Sequence, residues 1–550
     1  MIIDARTLSD NETIETDVCI VGAGTAGITL AKEFIGQKFS VCLLESGGLK
    51  PDKETQALYR GENVGQPYFP LETARARYFG GSSNRWQIVI GENSLGARMR
   101  PLDEIDFEER ESIPYSGWPF DKSCLDPFYA RAQSICGIDP LTYDVLDWRD
   151  SKKSPPLPFL GGRVKTVIFK IGSRNPFIDD YPQQVIRSAN IATYLYANVV
   201  EIETDEWAQI VTRLRVACLH GTKFWVSAKL FVLALGGLET PRLLLLSDKK
   251  RNAGLGNEND LVGRFFMEHL HWWSGYYVPP NPDMFSLTRL YNNIHMVNKV
   301  PIIGKLALSE EVLRHEKLLN YSVQFLPRVV LKSSLYPFFY PSTSSKGVAS
   351  CKRLISAICR GDIPDNFTLH ARNVISGIDN IAMAFYSKIR RKVVKNLNRK
   401  RVKVFQLAHM TEQVPNPNSR VILGEDCNSL GQRIIQLKWK LSSIDMLSAI
   451  RAQEIIDEEL RRAGLGRLYI QMKGETPPRY LSGGWHHMGT TRMHLDPQKG
   501  VVDENCKVHG ISNLFVAGPS VFPTGGYANP VLTIVALTVR LSDHVKRIMA

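Results

Sequence analysis

Asp17-Val18-Cys19-Ile20-Val21-Gly22-Ala23-Gly24-Thr25-Ala26-Gly27 is the stretch that decides the fold. An apolar run leads into three glycines spaced G-x-G-x-x-G, and Ile28 to Ile35 carry apolar residues at helical spacing. A second apolar run, Val41-Cys42-Leu43-Leu44, ends in Glu45-Ser46. Strand, tight turn, helix, then strand with a terminal carboxylate is the fingerprint of a dinucleotide site. Gly22, Gly24 and Gly27 allow a pyrophosphate to approach the backbone, and Thr25 and Ala26 open the helix whose positive end receives it. Glu45 suits a ribose hydroxyl and repels a 2′-phosphate, which favours FAD or NAD over NADP.

The other end of the chain supplies chemistry for such a cofactor. Gly484-Trp485-His486-His487-Met488-Gly489 and Thr524-Gly525-Gly526-Tyr527-Ala528-Asn529-Pro530 set a histidine pair and an asparagine among glycines. Alcohol oxidation needs a base for the hydroxyl proton and a fixed dipole for the oxygen, and a histidine and an asparagine supply these. Pro530 stands at a favoured first-turn position, because Val531-Leu532-Thr533-Ile534-Val535 continues at helical spacing. Asn513-Leu514-Phe515-Val516-Ala517-Gly518 reads as a buried strand and turn.

With these motifs stand Phe79-Gly80-Gly81-Ser82-Ser83-Asn84-Arg85-Trp86, Ser116-Gly117-Trp118-Pro119-Phe120, Ala234-Leu235-Gly236-Gly237, Met267-Glu268-His269 and Pro415-Asn416-Pro417-Asn418-Ser419-Arg420. In this order the chain resembles, over nearly its whole length, the glucose–methanol–choline (GMC) FAD-dependent oxidoreductases. The C-terminal wording is nearest the branch of pyranose oxidases, fructose and gluconate dehydrogenases and glycoside oxidases. The resemblance implies a Rossmann-like α/β FAD-binding domain assembled from discontinuous segments, 12–100, 190–270 and 480–550. It implies a second, α+β substrate domain on an antiparallel sheet, 101–189 and 271–479.

The resemblance also assigns roles. FAD would be held by the first glycine turn, by Glu45 and Ser46, and by Gly80, Gly81, Ser82, Ser83, Asn84, Arg85, Trp86 and Gln87. Val199, Val200, Ala234, Gly236 and Gly518, with Asn529, Pro530 and Thr533 at the last helix, complete the set. Hydroxyls of Ser82 and Ser83 would donate to the pyrophosphate, and Gln87 would bond the flavin ring. Arg85 replaces the histidine that links flavin covalently in that branch, so FAD is expected to be non-covalent. His486 is the expected base as hydride leaves for flavin N5, Asn529 positions the oxygen, and His487 is a supporting group hydrogen-bonded to backbone. Sugars, glycosides or polyols are the implied substrates, with Trp118, Trp272, Trp273 and Trp485 as a stacking surface or as core. Oxygen, a quinone or a redox protein is the electron acceptor. Lyases and light-driven decarboxylases share this fold, and a purely binding flavoprotein would leave the histidine and asparagine idle.

Composition fits a large enzyme: 550 residues, 44% of them hydrophobic, can bury two cores. The N-terminus lacks a basic segment followed by an apolar one, and no apolar run reaches membrane length, so a cytoplasmic location is expected. Nine scattered cysteines without metal-type spacing read as thiols in a reducing compartment, and no metal is expected. The net charge is +13, and nine basic residues without an acidic one lie between Lys388 and Lys403. Ile381, Phe385, Ile389, Val393 and Leu397 make that stretch an amphipathic helix. Its basic side reads as a solvated face, or as a docking face for an anionic membrane surface or an acidic partner. No recognition module for nucleic acid accompanies it. Alternation predicts strands at 320–326, 420–423 and 434–439, helical spacing predicts a helix over 444–463 stopped by Gly464, and Ser333–Arg360 reads as a loop.

Overall fold

Thr13–Val21 forms the central strand of an eight-stranded sheet, parallel to Val41–Leu44 on one side and to Lys223–Leu233 on the other. All four residues of Val41–Leu44 are buried, as expected of a strand covered on both faces. Ile191–Leu195 and Ile2–Asp4 extend the parallel order beyond it. Lys223–Leu233 is long enough to take two further partners on its other edge. Val211–Ala217 pairs antiparallel with its first half, and Leu514–Val516 pairs parallel with its last three residues. The computed structural model describes residues 1–148, 155–280, 284–328, 346–358, 362, 364, 366–376 and 404–550, except positions 93, 220, 473 and 479.

The helix Thr25–Glu33 follows the first strand and buries Ala26, Gly27, Ile28, Thr29, Leu30 and Ala31. The C-terminal helix Val531–Met549 packs beside it and carries its apolar face inward from Val531 to Val545. A third helix, Gly236–Leu246, leaves the C-terminal end of Lys223–Leu233. Ligands bind beyond the carboxyl ends of parallel strands, and all three helices begin there.

A nine-stranded antiparallel sheet faces these helix ends. Its order is Arg467–Tyr469, Leu270–Val278, Val404–Thr411, Tyr321–Arg328, Val300–Leu308, Val164–Ser173, Ser94–Met99 and Ile88–Gly91, with His295–Val297 added beside Val300–Leu308. Ile88–Gly91 and Ser94–Met99 thus join this sheet, although the sequence reading groups residues up to 100 with the nucleotide fold. Pairing of Gly96 with Ser173 and of Arg98 with Ile171 fixes them there.

The strands expected near 320, 420 and 434 are Tyr321–Arg328, Arg420–Cys427 and Arg433–Lys438. The last two do not belong to the large sheet; they form a separate three-stranded sheet with Gly61–Asn63. The helix Ser443–Arg462 opens on a reciprocal Ser442–Asp445 cap, and Gly464 beyond its end has φ +66°. Of the expected loop Ser333–Arg360, residues Lys346–Ile358 are helical. Val348, Cys351, Leu354, Ile355 and Ile358 recur there at three-to-four spacing, which outweighs the serine and proline bias. The rest of that segment and the basic stretch 388–403 lie outside the described residues. Among the described residues no helix is long and apolar enough to cross a membrane.

Candidate active site

A cavity of about 440 Å³ lies between the helix ends and the antiparallel sheet. Gly22, Gly24, Thr25 and Ala26 line it from the first turn, Glu45 and Ser46 from the second strand, and Ala234 and Gly236 from the third. Gly518, Asn529 and Pro530 line it from the C-terminal segment, and Gly81, Ser82, Arg85, Trp86 and Gln87 from the second glycine turn. His486 and His487 complete the predicted residues that meet there.

The rest of the predicted set does not reach the cavity. Gly27 sits where a Cβ would lie 1.8 Å from the Gly22 carbonyl oxygen, so it sets how closely helix and turn pack. Gly80 donates its N–H to the Ala23 carbonyl at 2.9 Å and ties the two glycine turns together. The Ser83 hydroxyl lies 2.8 Å from that of Thr25, which lines the cavity. Asn84 donates to the carbonyls of Phe79 and Gly81, and the Thr533 hydroxyl meets Tyr129. Val199 lines a smaller adjoining cavity that shares Gly22, Ser46 and Tyr59, while Val200 lines neither.

The cavity suits an anionic cofactor with an extended body. Three helices, Thr25–Glu33, Gly236–Leu246 and Val531–Met549, start at its wall with no side-chain cap on their first N–H groups. Such ends carry partial positive charge and open donors. A Cβ at Gly236 or Gly518 would meet no atom within 4 Å, so both leave open space where an ordinary residue would intrude. Arg85 Nε is buried and has no protein partner. Glu45, whose pKa burial raises, accepts from the Ala23 and Gly47 amides at 2.9 and 2.8 Å and so braces the first turn. These features fit FAD.

At the other end the site is built on one irregular pairing. Met267 and Met488 form an isolated antiparallel bridge, and His271 pairs Ser482, so the 482–488 segment lies along 267–271. The buried Glu268 carboxylate accepts the amides of Gly484 and His486, each at 3.0 Å, and fixes the intervening turn. Trp485 in that turn has φ +63°, a strained backbone for a bulky residue and a feature of functional sites. Burial pushes the Glu268 carboxyl up to about 7, against hydrogen bonds from the Tyr68 hydroxyl and from the amides.

The histidine tautomers follow from what each neighbour is able to accept. The Gly525 carbonyl only accepts, so the His269 Nε2 at 3.1 Å is the donor. Burial lowers the His269 pKa to about 4, so the ring is neutral and its Nδ1 is an acceptor. His486 Nδ1, 2.8 Å away, must therefore carry the proton that it donates to His269. That leaves a lone pair on His486 Nε2, which takes a hydrogen bond from Asn529 Nδ2 at 3.2 Å. Burial first, then the neighbouring histidines and Lys305, hold the His486 pKa well below the usual value. His487 points elsewhere: its Nε2 bonds the Tyr68 hydroxyl at 2.8 Å, and Tyr68 in turn donates to Glu268. A side chain, not backbone, is thus its partner, and burial lowers its pKa to about 3.

Sequence reasoning missed His269, Glu268, His271 and Arg98. Glu268 and His269 stand in the quoted Met267-Glu268-His269 motif, but their partners are more than 200 residues away in sequence. His271 and Arg98 line the cavity from ordinary alternating strands, which carry no local signal. Of the four tryptophans considered for stacking, Trp485 lines the cavity, with its buried Nε1 unpartnered. Trp118 is buried and bonded to Thr524, Trp272 is buried against His409, and Trp273 is exposed.

Residues 415–538 match the family model described as GMC oxidoreductase. The fructose dehydrogenase large subunit of Gluconobacter japonicus is 24% identical, over 97% of this chain and 98% of that protein. The 2-methyl-1,2-propanediol dehydrogenase of Mycolicibacterium austroafricanum is 25% identical, over 97% of this chain and 95% of its own length. Among solved structures, pyridoxine 4-oxidase from Mesorbium loti aligns with a TM-score of 0.49 and 18% identity, over 96% of this chain and 98% of that one.

Proposed function

Because the chain belongs to the GMC oxidoreductases, we propose that it is an FAD-dependent enzyme oxidising the CH–OH group of a sugar, glycoside or polyol. FAD, when bound, supplies the hydride acceptor. Its residues would be those of the two glycine turns, Glu45 and Ser46, the Gly236 and Val531 helix ends and Gly518. With arginine at position 85, the cofactor is held without a covalent link.

The observation that carries the reading is the relay from the Gly525 carbonyl through His269 to His486, which leaves an unprotonated Nε2 beside an amide donor. A substrate hydroxyl entering between His486 and Asn529 donates to Nε2 and accepts from Asn529 Nδ2. His486 takes the hydroxyl proton as the carbinol carbon gives up its hydride, and Asn529 stabilises the oxygen as negative charge develops. His269 keeps the imidazole in the one tautomer that serves as a base, and Glu268 holds the turn on which His486 rides.

Anaerobic mixing of the holoenzyme with sugars, glycosides, polyols and simple alcohols tests this. The flavin band near ~450 nm is expected to bleach with at least one class. An FAD-loaded protein that no alcohol bleaches would contradict the reading.

A further inference from the structure

Strand alternation and register place Arg98, Lys305, Gln324, Met410 and His271 on one face of the antiparallel sheet, the face toward the His486–Asn529 end of the cavity. The polar part of this face is cationic. Arg98 lines the cavity, its Nη2 donates to Gln324 Oε1 at 3.0 Å, and its buried Nε has no partner. Lys305 is 3% exposed; its ammonium lies 4.5 Å from the centre of the Phe169 ring and 3.9 Å from Met410 Sδ. His271 Nε2 is buried and also unpartnered.

Neither Arg98 nor Lys305 forms an ion pair among the described residues. The buried arginines Arg75, Arg77, Arg110 and Arg242 each meet a carboxylate. Arg98 and Lys305 share with the remote Arg492 and Lys170 the lack of one, and alone of these four stand on the face toward the cavity's His486–Asn529 end. A cationic group held out of water without an anion costs free energy, which a bound oxyanion would offset. Burial and the neighbouring Arg98 charge depress the Lys305 pKa, and no acidic side chain counters them.

We infer that the substrate carries an oxyanion, a carboxylate or a phosphate, which Arg98 grips through its fork while Lys305 supplies charge from beneath. This rests on the reading of the cavity as an alcohol-oxidising site and narrows its substrates to hydroxy acids and sugar acids or phosphates. Neither fructose nor 2-methyl-1,2-propanediol, the compounds in the two relatives' names, has such a group. The planar guanidinium matches either oxyanion in a bidentate contact, for which the unpartnered Nε keeps a donor. The three uncapped helix ends would serve the cofactor, which leaves the sheet's charges for the substrate.

Equilibrium binding to the holoenzyme tests this without turnover. Probes are matched pairs of one anionic and one neutral compound: D-gluconate with D-glucitol, D-glucuronate with D-glucose, and D-glucose 6-phosphate with D-glucose. Binding is read from perturbation of the oxidised flavin spectrum under anaerobic conditions, or from flavin reduction where it follows. The anionic member of a carboxylate or phosphate pair is expected to bind at least tenfold more tightly, and the pair that shows this identifies the oxyanion. Arg98→Met and Lys305→Met, with FAD retained, are each expected to reduce that preference at least tenfold. Equal binding within all pairs, no response to any anion, or a preference that survives both substitutions would overturn the inference. If the substitutions instead alter only the flavin's spectrum and potential, the cations belong to the cofactor and the inference fails. Because binding is read without chemistry, an anion preference in a protein that oxidises no alcohol would fail the oxidase reading and leave the cation site standing.

Discussion

The proposed base, His486 Nε2, keeps its lone pair because of three other groups: the Gly525 carbonyl, the neutral His269 ring and the Asn529 amide. That dependence has a pH signature. The ring must be unprotonated to accept the substrate proton, so activity is lost as pH falls through its pKa. Burial lowers that pKa well below 6.5, with help from the neighbouring histidines and Lys305. The acidic limb of kcat/KM is therefore expected below pH 6.5, with a plateau through neutrality, and a limb at or above 6.5 would show that the burial argument is wrong. The histidine and asparagine were legible in the sequence because glycines flank both. The choice of tautomer was not, since it depends on His269, 217 residues from His486. Likewise only packing reveals that the Ser83 hydroxyl lies against that of Thr25.

Helices and strands were more legible than their assembly. The first turn is written in local terms, glycine spacing and apolar period, and it folds as written because backbone contact at Gly27 forbids any other residue. Gly27→Ala would place a methyl 1.8 Å from the Gly22 carbonyl oxygen and push the helix off the turn. It is expected to destabilise the protein by about 1–3 kcal/mol or more and to lower flavin content, measured by thermal melting and by the absorbance ratio of flavin to protein. Unchanged melting and full flavin content would contradict this packing. By contrast, alternation at 420–423 and 434–439 predicts two strands but cannot say which sheet receives them. Gly61–Asn63, far away in sequence, is their third partner, and a separate small sheet results. The same limit hid Ile88–Gly91 and Ser94–Met99; the latter's pairing with Val164–Ser173 carries Arg98 to the cavity.

On the scale of the whole molecule, two sheets divide the work. The parallel strands end in helix N-termini that suit an anionic cofactor, and the antiparallel sheet brings Arg98 and His271 to the cavity. Between them stands the 482–488 segment, bridged to 267–271, so His486 belongs to neither sheet and its position depends on both. His486 is proposed as the base for alcohol oxidation. The most direct test is the rate of anaerobic flavin reduction by the best alcohol substrate, measured by rapid mixing in the wild type and in His486→Gln with equal FAD loading. The account predicts a loss of roughly 10²–10⁴-fold in the variant, the range that a positioned general base contributes, with little change in flavin content. A variant that reduces its flavin as fast as the wild type would contradict it.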